Sequence, residues 1–139
     1  MNKVIILGLI VLGMLLASII LIKVASANTP QFPNVFYGTA TINGVAAPAG
    51  SYVTAVVDRG LATERHYVLA VSPTGKYGSA NGLKLKVGGD TQGDIQHRSL
   101  IEFFVTADAL PLNSALTPGA TALFYADGNP HITRLAVTQ

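Results

Sequence analysis

An uninterrupted apolar run, Val4–Ile22, stands near the start of the chain with Lys3 before it and Lys23 after it. At ~1.5 Å of rise per residue it would make a helix of about 28 Å, close to the hydrocarbon thickness of a bilayer. Only a helix can cross there, because every backbone N–H and C=O must be paired inside the segment. The run is apolar on every face, which leaves no polar side for the surface helix of a water-soluble domain. The sequence therefore predicts one N-terminal apolar helix with a membrane span over Val4–Ile22.

Two readings of that helix stand side by side. Residues 1–27 fit a secretory signal, with small residues at Ala25 and Ala27 marking cleavage between Ala27 and Asn28. They also fit an uncleaved signal-anchor, because the apolar centre exceeds the roughly 7–15 residues usual for a cleaved signal. Both put Lys3 on the cytoplasmic side and export the rest of the chain. The expected location is outside the cytoplasm, either membrane-anchored through the helix or secreted after cleavage at Ala27. Gly13 and Ala17 add a small-xxx-small pair of the kind that lets apolar helices associate.

Charge divides along the same line. Nine Lys and Arg face seven Asp and Glu over the whole chain; losing Lys3 and Lys23 leaves the exported part formally neutral. No charge block points to nucleic acid. The chain has no cysteine, so thiol catalysis, thiolate metal sites and disulfide staples are excluded. The roughly 110 residues after the leader make one domain, large enough to build its own core.

A proline-containing linker over 28–35 leads to a β domain over 36–139. Past Pro33 the apolar period becomes two, the spacing of strands. Strands are predicted at Phe36–Ile42, Val45–Ala46, Ser51–Val57, Arg65–Val71, Leu83–Val87, Ser99–Thr106, Ala120–Ala126 and His131–Thr138. Asn43-Gly44 is a hairpin-turn signal. Ser51–Val57 is apolar on both faces, which predicts a central strand. Leu83–Val87 alternates with Lys84 and Lys86, the pattern of a protected edge, and its leucines and valine are expected inward. Pairing around 107–118 stays open. The predicted fold is all-β, a two-sheet Ig-like or transthyretin-like β-sandwich of seven to eight strands.

The block Phe36-Tyr37-Gly38-Thr39-Ala40-Thr41-Ile42-Asn43-Gly44, followed by Ala47-Pro48-Ala49-Gly50-Ser51-Tyr52-Val53-Thr54-Ala55-Val56-Val57-Asp58, carries a resemblance. So does the later order of Leu83–Val87, Gly89-Asp90, Gly93-Asp94, Glu102-Phe103-Phe104-Val105 and Pro118-Gly119. Together they resemble the carboxypeptidase-regulatory or transthyretin-like β-sandwich module of prokaryotic secreted and cell-surface proteins. The resemblance implies a noncatalytic module and brings no catalytic residues with it. This chain departs from it in being a single copy behind a leader.

Chemistry-bearing patterns are sparse. Asp90 and Asp94 share a polar loop and are the candidates for a Ca²⁺ site, although their spacing matches no known calcium loop. His66, His97 and His131 lack a zinc spacing. Ser, His and Asp residues occur without a nucleophile elbow. Tyr37, Tyr52, Tyr67, Tyr77 and Tyr125 are candidates for a glycan platform or for packing.

The sequence thus predicts no enzyme and no cofactor. It predicts a structural or protein-interaction module at the cell surface, with protein or self-association partners and no nucleic acid. One alternative is a filament subunit using the N-terminal segment, the plan of archaeal type IV pilins. Met1-Asn2-Lys3-Val4 lacks the small residue and the acidic residue of a pilin processing site, and strand donation through Asn28–Ile42 is the other filament route. A glycan- or Ca²⁺-binding module is a further alternative.

Overall fold

The computed structural model describes residues 31–89, 95–107 and 115–139. The Val4–Ile22 span, the Ala27–Asn28 junction, and Asp90 and Asp94 lie outside the described residues. Among the described residues no helix is long and apolar enough to cross a membrane.

The described residues form ten strand segments in succession: β1 (Asn34–Ile42), β2 (Val45–Ala46), β3 (Tyr52–Val57), β4 (Arg65–Ala70), β5 (Lys76–Tyr77), β6 (Leu85–Val87), β7 (Leu100–Thr106), β8 (Ala120–Leu123), β9 (His131–Arg134) and β10 (Val137–Thr138). They form one six-stranded and one four-stranded sheet. The all-β class and the two-sheet plan agree with the sequence reading. The count exceeds the expected seven to eight for two reasons. β5 lies inside Ser72–Gly82, whose glycines and proline predict a loop. The last predicted strand divides at Leu135-Ala136, where the Leu135 carbonyl accepts the Tyr77 hydroxyl at 2.7 Å instead of continuing the ladder.

β1 is the spine of the larger sheet. Along one edge it pairs antiparallel with β6, β5 and β2 in turn; along the other it pairs parallel with β9 and β10. Residues 34–42 of the strand-donation candidate are thus the central strand of the chain's own sheet. Alternation places Asn34, Phe36, Gly38 and Ala40 inward and leaves Val35, Tyr37, Thr39 and Thr41 on the outer face.

The close pairing of β1 with the C-terminal segment depends on Gly38. A Cβ there would overlap the Leu135 carbonyl oxygen, so a glycine is needed for approach rather than for its backbone angles. At the other end of β1, Asn43 (φ 52°) and Gly44 (φ 77°) make the two-residue hairpin turn that their identity predicts.

The smaller sheet has the order β4-β3-β7-β8, with β3 central as its two-faced apolar pattern predicts. Val53, Ala55 and Val57 of β3 and Ile101, Phe103 and Val105 of β7 meet Phe36, Ala40, Tyr77, Leu85, Val87 and Val137 of the larger sheet in one buried cluster. The Phe36 and Phe103 rings meet edge to face at 4.9 Å, worth about 0.5–1.5 kcal/mol beyond the area they bury. The two sheets therefore share a core, a sandwich-like arrangement. Leu83 departs from the expected alternation: it precedes β6 and is 77% exposed, while Leu85 and Val87 are buried as expected.

The opposite face of the smaller sheet is covered as well. Thr54, Val56 and Phe104 are buried although they point away from the shared core. Arg59, from the β3–β4 connection, lays its guanidinium 4.7 Å from the Phe104 ring centroid. It donates to the Leu116 carbonyl at 2.9 Å and lies 3.7 Å from Glu102.

Candidate functional site

Among the described residues, two regions stand out as candidates for a site. The first is at the end of the fold where β1 begins, and two side-chain amides build it. Gln31 donates to the Ile95 carbonyl (2.7 Å) and accepts the Ile95 amide (3.0 Å). Asn34, buried at the start of β1, makes the same pair of bonds with Tyr125. Each amide acts as a short piece of strand and satisfies a backbone donor and acceptor in loops that have no ladder of their own.

Those loops assemble an aromatic cluster that the sequence spacing concealed. Tyr125 stacks on His131 with ring centroids 4.7 Å apart, and His97 meets its edge at 5.9 Å. His97 Nδ1 accepts the Ala126 amide at 3.1 Å, and His131 Nε2 lies 2.8 Å from Asp127. The His131 bond, and after it the Asn129 amide, holds the Asp127 carboxyl below its ordinary range.

A carboxylate-held imidazole is an arrangement that general bases use, with the proton coming from substrate or water. Here the same imidazole is stacked on Tyr125. Among the described residues no three His, Cys, Asp or Glu groups are placed to hold a metal ion. The third histidine, His66, sits on β4 beside Glu64. The Gly60 amide and then His66 lower the Glu64 carboxyl below its usual range.

The second region is a shallow cleft of about 170 Å³ on the outer face of the six-stranded sheet. Tyr37 and Thr39 of β1 are its floor. Lys76 stands opposite Thr39 on β5, and Arg134 stands opposite Tyr37 on β9. Gly78, Ser79 and Ala80 complete its lining. The same face carries Lys86, opposite Val35, and the exposed Ile132 on the far side of Val35.

No carboxylate neutralises these cations among the described residues. Asp58 accepts from Thr63, Glu64 contacts Gly60 and His66, Glu102 faces Arg59, and Asp127 binds His131 and Asn129. This face is basic and partly apolar, and it is built around open hydroxyls. It can attract an anion and offer it a forked guanidinium, a point charge and neutral hydroxyl groups.

The five tyrosines do not form a common platform. Tyr77 is buried in the core, where burial raises its phenol above the ordinary range. Tyr37 lines the cleft, Tyr52 and Tyr67 belong to the smaller sheet, and Tyr125 lies in the histidine cluster. Lys76 and Arg134 escape a reading of the sequence. They lie 58 positions apart in the chain and meet only through their register on β1.

Comparison with known protein families, curated proteins and solved structures returned no match to this chain.

Proposed function

We propose that the chain is an exported, noncatalytic β-sandwich module of Ig-like or transthyretin-like form, working at the cell surface through its six-stranded face. The observation that carries this reading is the array of Lys76, Lys86 and Arg134 on one sheet face, without a carboxylate among the described residues there. A sheet face of one charge sign draws oppositely charged partners and guides their approach. Export rests on the Val4–Ile22 run, and the noncatalytic role rests on the module that the strand and turn residues resemble.

Treatment of intact cells with protease tests the reading, with a C-terminal epitope reporting the domain. Loss of the epitope from intact cells is the expected result. An epitope that survives on intact cells and is digested only after lysis contradicts export. The N-terminal residue of the mature protein then separates the two forms: Asn28 for a released domain, Met1 for an anchored one.

A further inference from the structure

We infer that the cleft between Lys76 and Arg134 binds an acidic sugar, a pyranose bearing a carboxylate; this rests on reading the six-stranded face as the working surface. The floor is a single strand, β1, and the two cations rise from the strands on either side of it. Neighbouring strands lie about 4.8 Å apart, so the two backbones are separated by roughly 10 Å across the sheet. Both side chains are long enough to converge on one carboxylate held above Tyr37 and Thr39. Arg134 can present two parallel N–H groups to that carboxylate, while Lys76 contributes a mobile point charge.

The remaining lining distinguishes a sugar acid from other anions. Thr39, Ser79 and Tyr37 place three hydroxyl groups around the cleft. Each can both donate and accept, the match for ring hydroxyls that do the same. The phenol ring of Tyr37 adds an apolar wall for the C–H face of a pyranose. At about 170 Å³ the cleft falls below the roughly 300–1,000 Å³ of sites for drug-sized ligands, which suits one sugar ring rather than a nucleotide. The Tyr125 cluster is less suited to a sugar, because His131 already covers a face of that ring.

The test uses the full chain in a nonionic polyoxyethylene detergent, with backbone amide signals tracked by two-dimensional NMR. Trigalacturonic acid is the probe. Its methyl ester keeps the rings without the charge, inorganic phosphate keeps the charge without the rings, and a polyglutamate peptide carries carboxylates on a polypeptide. The expected result is saturable movement of signals from residues 37–39, 76–80 and 134 with the acid, and at least fivefold weaker binding of the other three probes. Lys76→Ala and Arg134→Ala each weaken binding about tenfold, the scale of a charge-assisted hydrogen bond. Arg134→Lys restores it only in part.

Equal binding of the methyl ester overturns recognition of the charge, and equal binding of phosphate reduces the cleft to a general anion site. Tighter binding of polyglutamate shifts the ligand to an acidic protein, and signals that move elsewhere or not at all remove the site. Each of these outcomes rejects the sugar-acid assignment without bearing on export, which the intact-cell protease experiment decides separately.

Discussion

Asn34 and Tyr125 exchange two hydrogen bonds across 91 positions of sequence: Asn34 Nδ2 donates to the Tyr125 carbonyl at 2.8 Å, and its Oδ1 accepts the Tyr125 amide at 2.9 Å. This joins the first strand of the larger sheet to the segment leaving β8 of the smaller one. Asn34→Leu leaves both Tyr125 backbone groups facing an apolar side chain in a part-buried place and should cost about 2–4 kcal/mol. Gln31→Ala, which makes room for water at the likewise part-buried Ile95 pair, should cost roughly 1–2 kcal/mol. Urea midpoints of the two variants, with unchanged m-values, are the check.

Gly38 and Gly44 should respond differently to the same substitution. Gly38→Ala drives a methyl group into the Leu135 carbonyl, against backbone that cannot swing aside. We expect a loss of at least ~3 kcal/mol, the scale of overpacking at a close contact, with the C-terminal strands the first to release. Gly44→Ala meets open space and suffers only from its positive φ, at roughly 1 kcal/mol. Thermal unfolding compares the two, and amide exchange over residues 131–138 shows whether Gly38→Ala frees those strands.

Arg59 covers Phe104 and ties the β3–β4 connection to Leu116. Replacing it with Ala should cost about 2–4 kcal/mol, since it removes the ring contact and the charged donor to the Leu116 carbonyl. Lysine should recover less than half of that, because it keeps the charge and loses the planar fork. Dye binding by the Ala variant, measured below its unfolding transition, should rise as the Phe104 face opens.

Tyr77 gives the fold a defined alkaline limit. Its buried phenol donates to Leu135, and burial raises its pKa above the unfolded value near 10. The neutral form is the one the fold favours. This stabilisation is complete below about pH 10 and is lost as pH climbs from there toward the folded pKa, at up to ~1.4 kcal/mol per pH unit. Tyr77→Phe should lose roughly 1–2 kcal/mol at neutral pH by depriving the Leu135 carbonyl of its hydroxyl donor, and should flatten the decline above pH 10. Denaturation curves between pH 8 and 11.5 test both halves of the statement.

The strand pattern is legible in the sequence where local signals are strong. Runs of β-branched and aromatic residues place β1, β3, β4 and β7, the two-faced apolar pattern makes β3 central, and Asn43-Gly44 announces its turn. Two-residue strands such as Lys76–Tyr77 are too short to show a period, and the break at Leu135 depends on a hydroxyl 58 residues away. The cleft is hidden for the same reason. Lys76, Tyr37 and Arg134 carry no motif, and their meeting is a consequence of register on a shared central strand. The resemblance drawn from turn and strand-end residues points to the class of fold, and turn residues of that kind say little about which sheet face is charged.

The most direct test of the account is the side of the membrane on which the β domain stands. Because the chain has no cysteine, Ala62→Cys in the exposed β3–β4 connection creates a single thiol in the protein. A membrane-impermeant maleimide should label it on intact cells, or in the culture medium if the domain is released, as fully as after lysis. Labelling that appears only once the cells are broken would contradict the account at its centre.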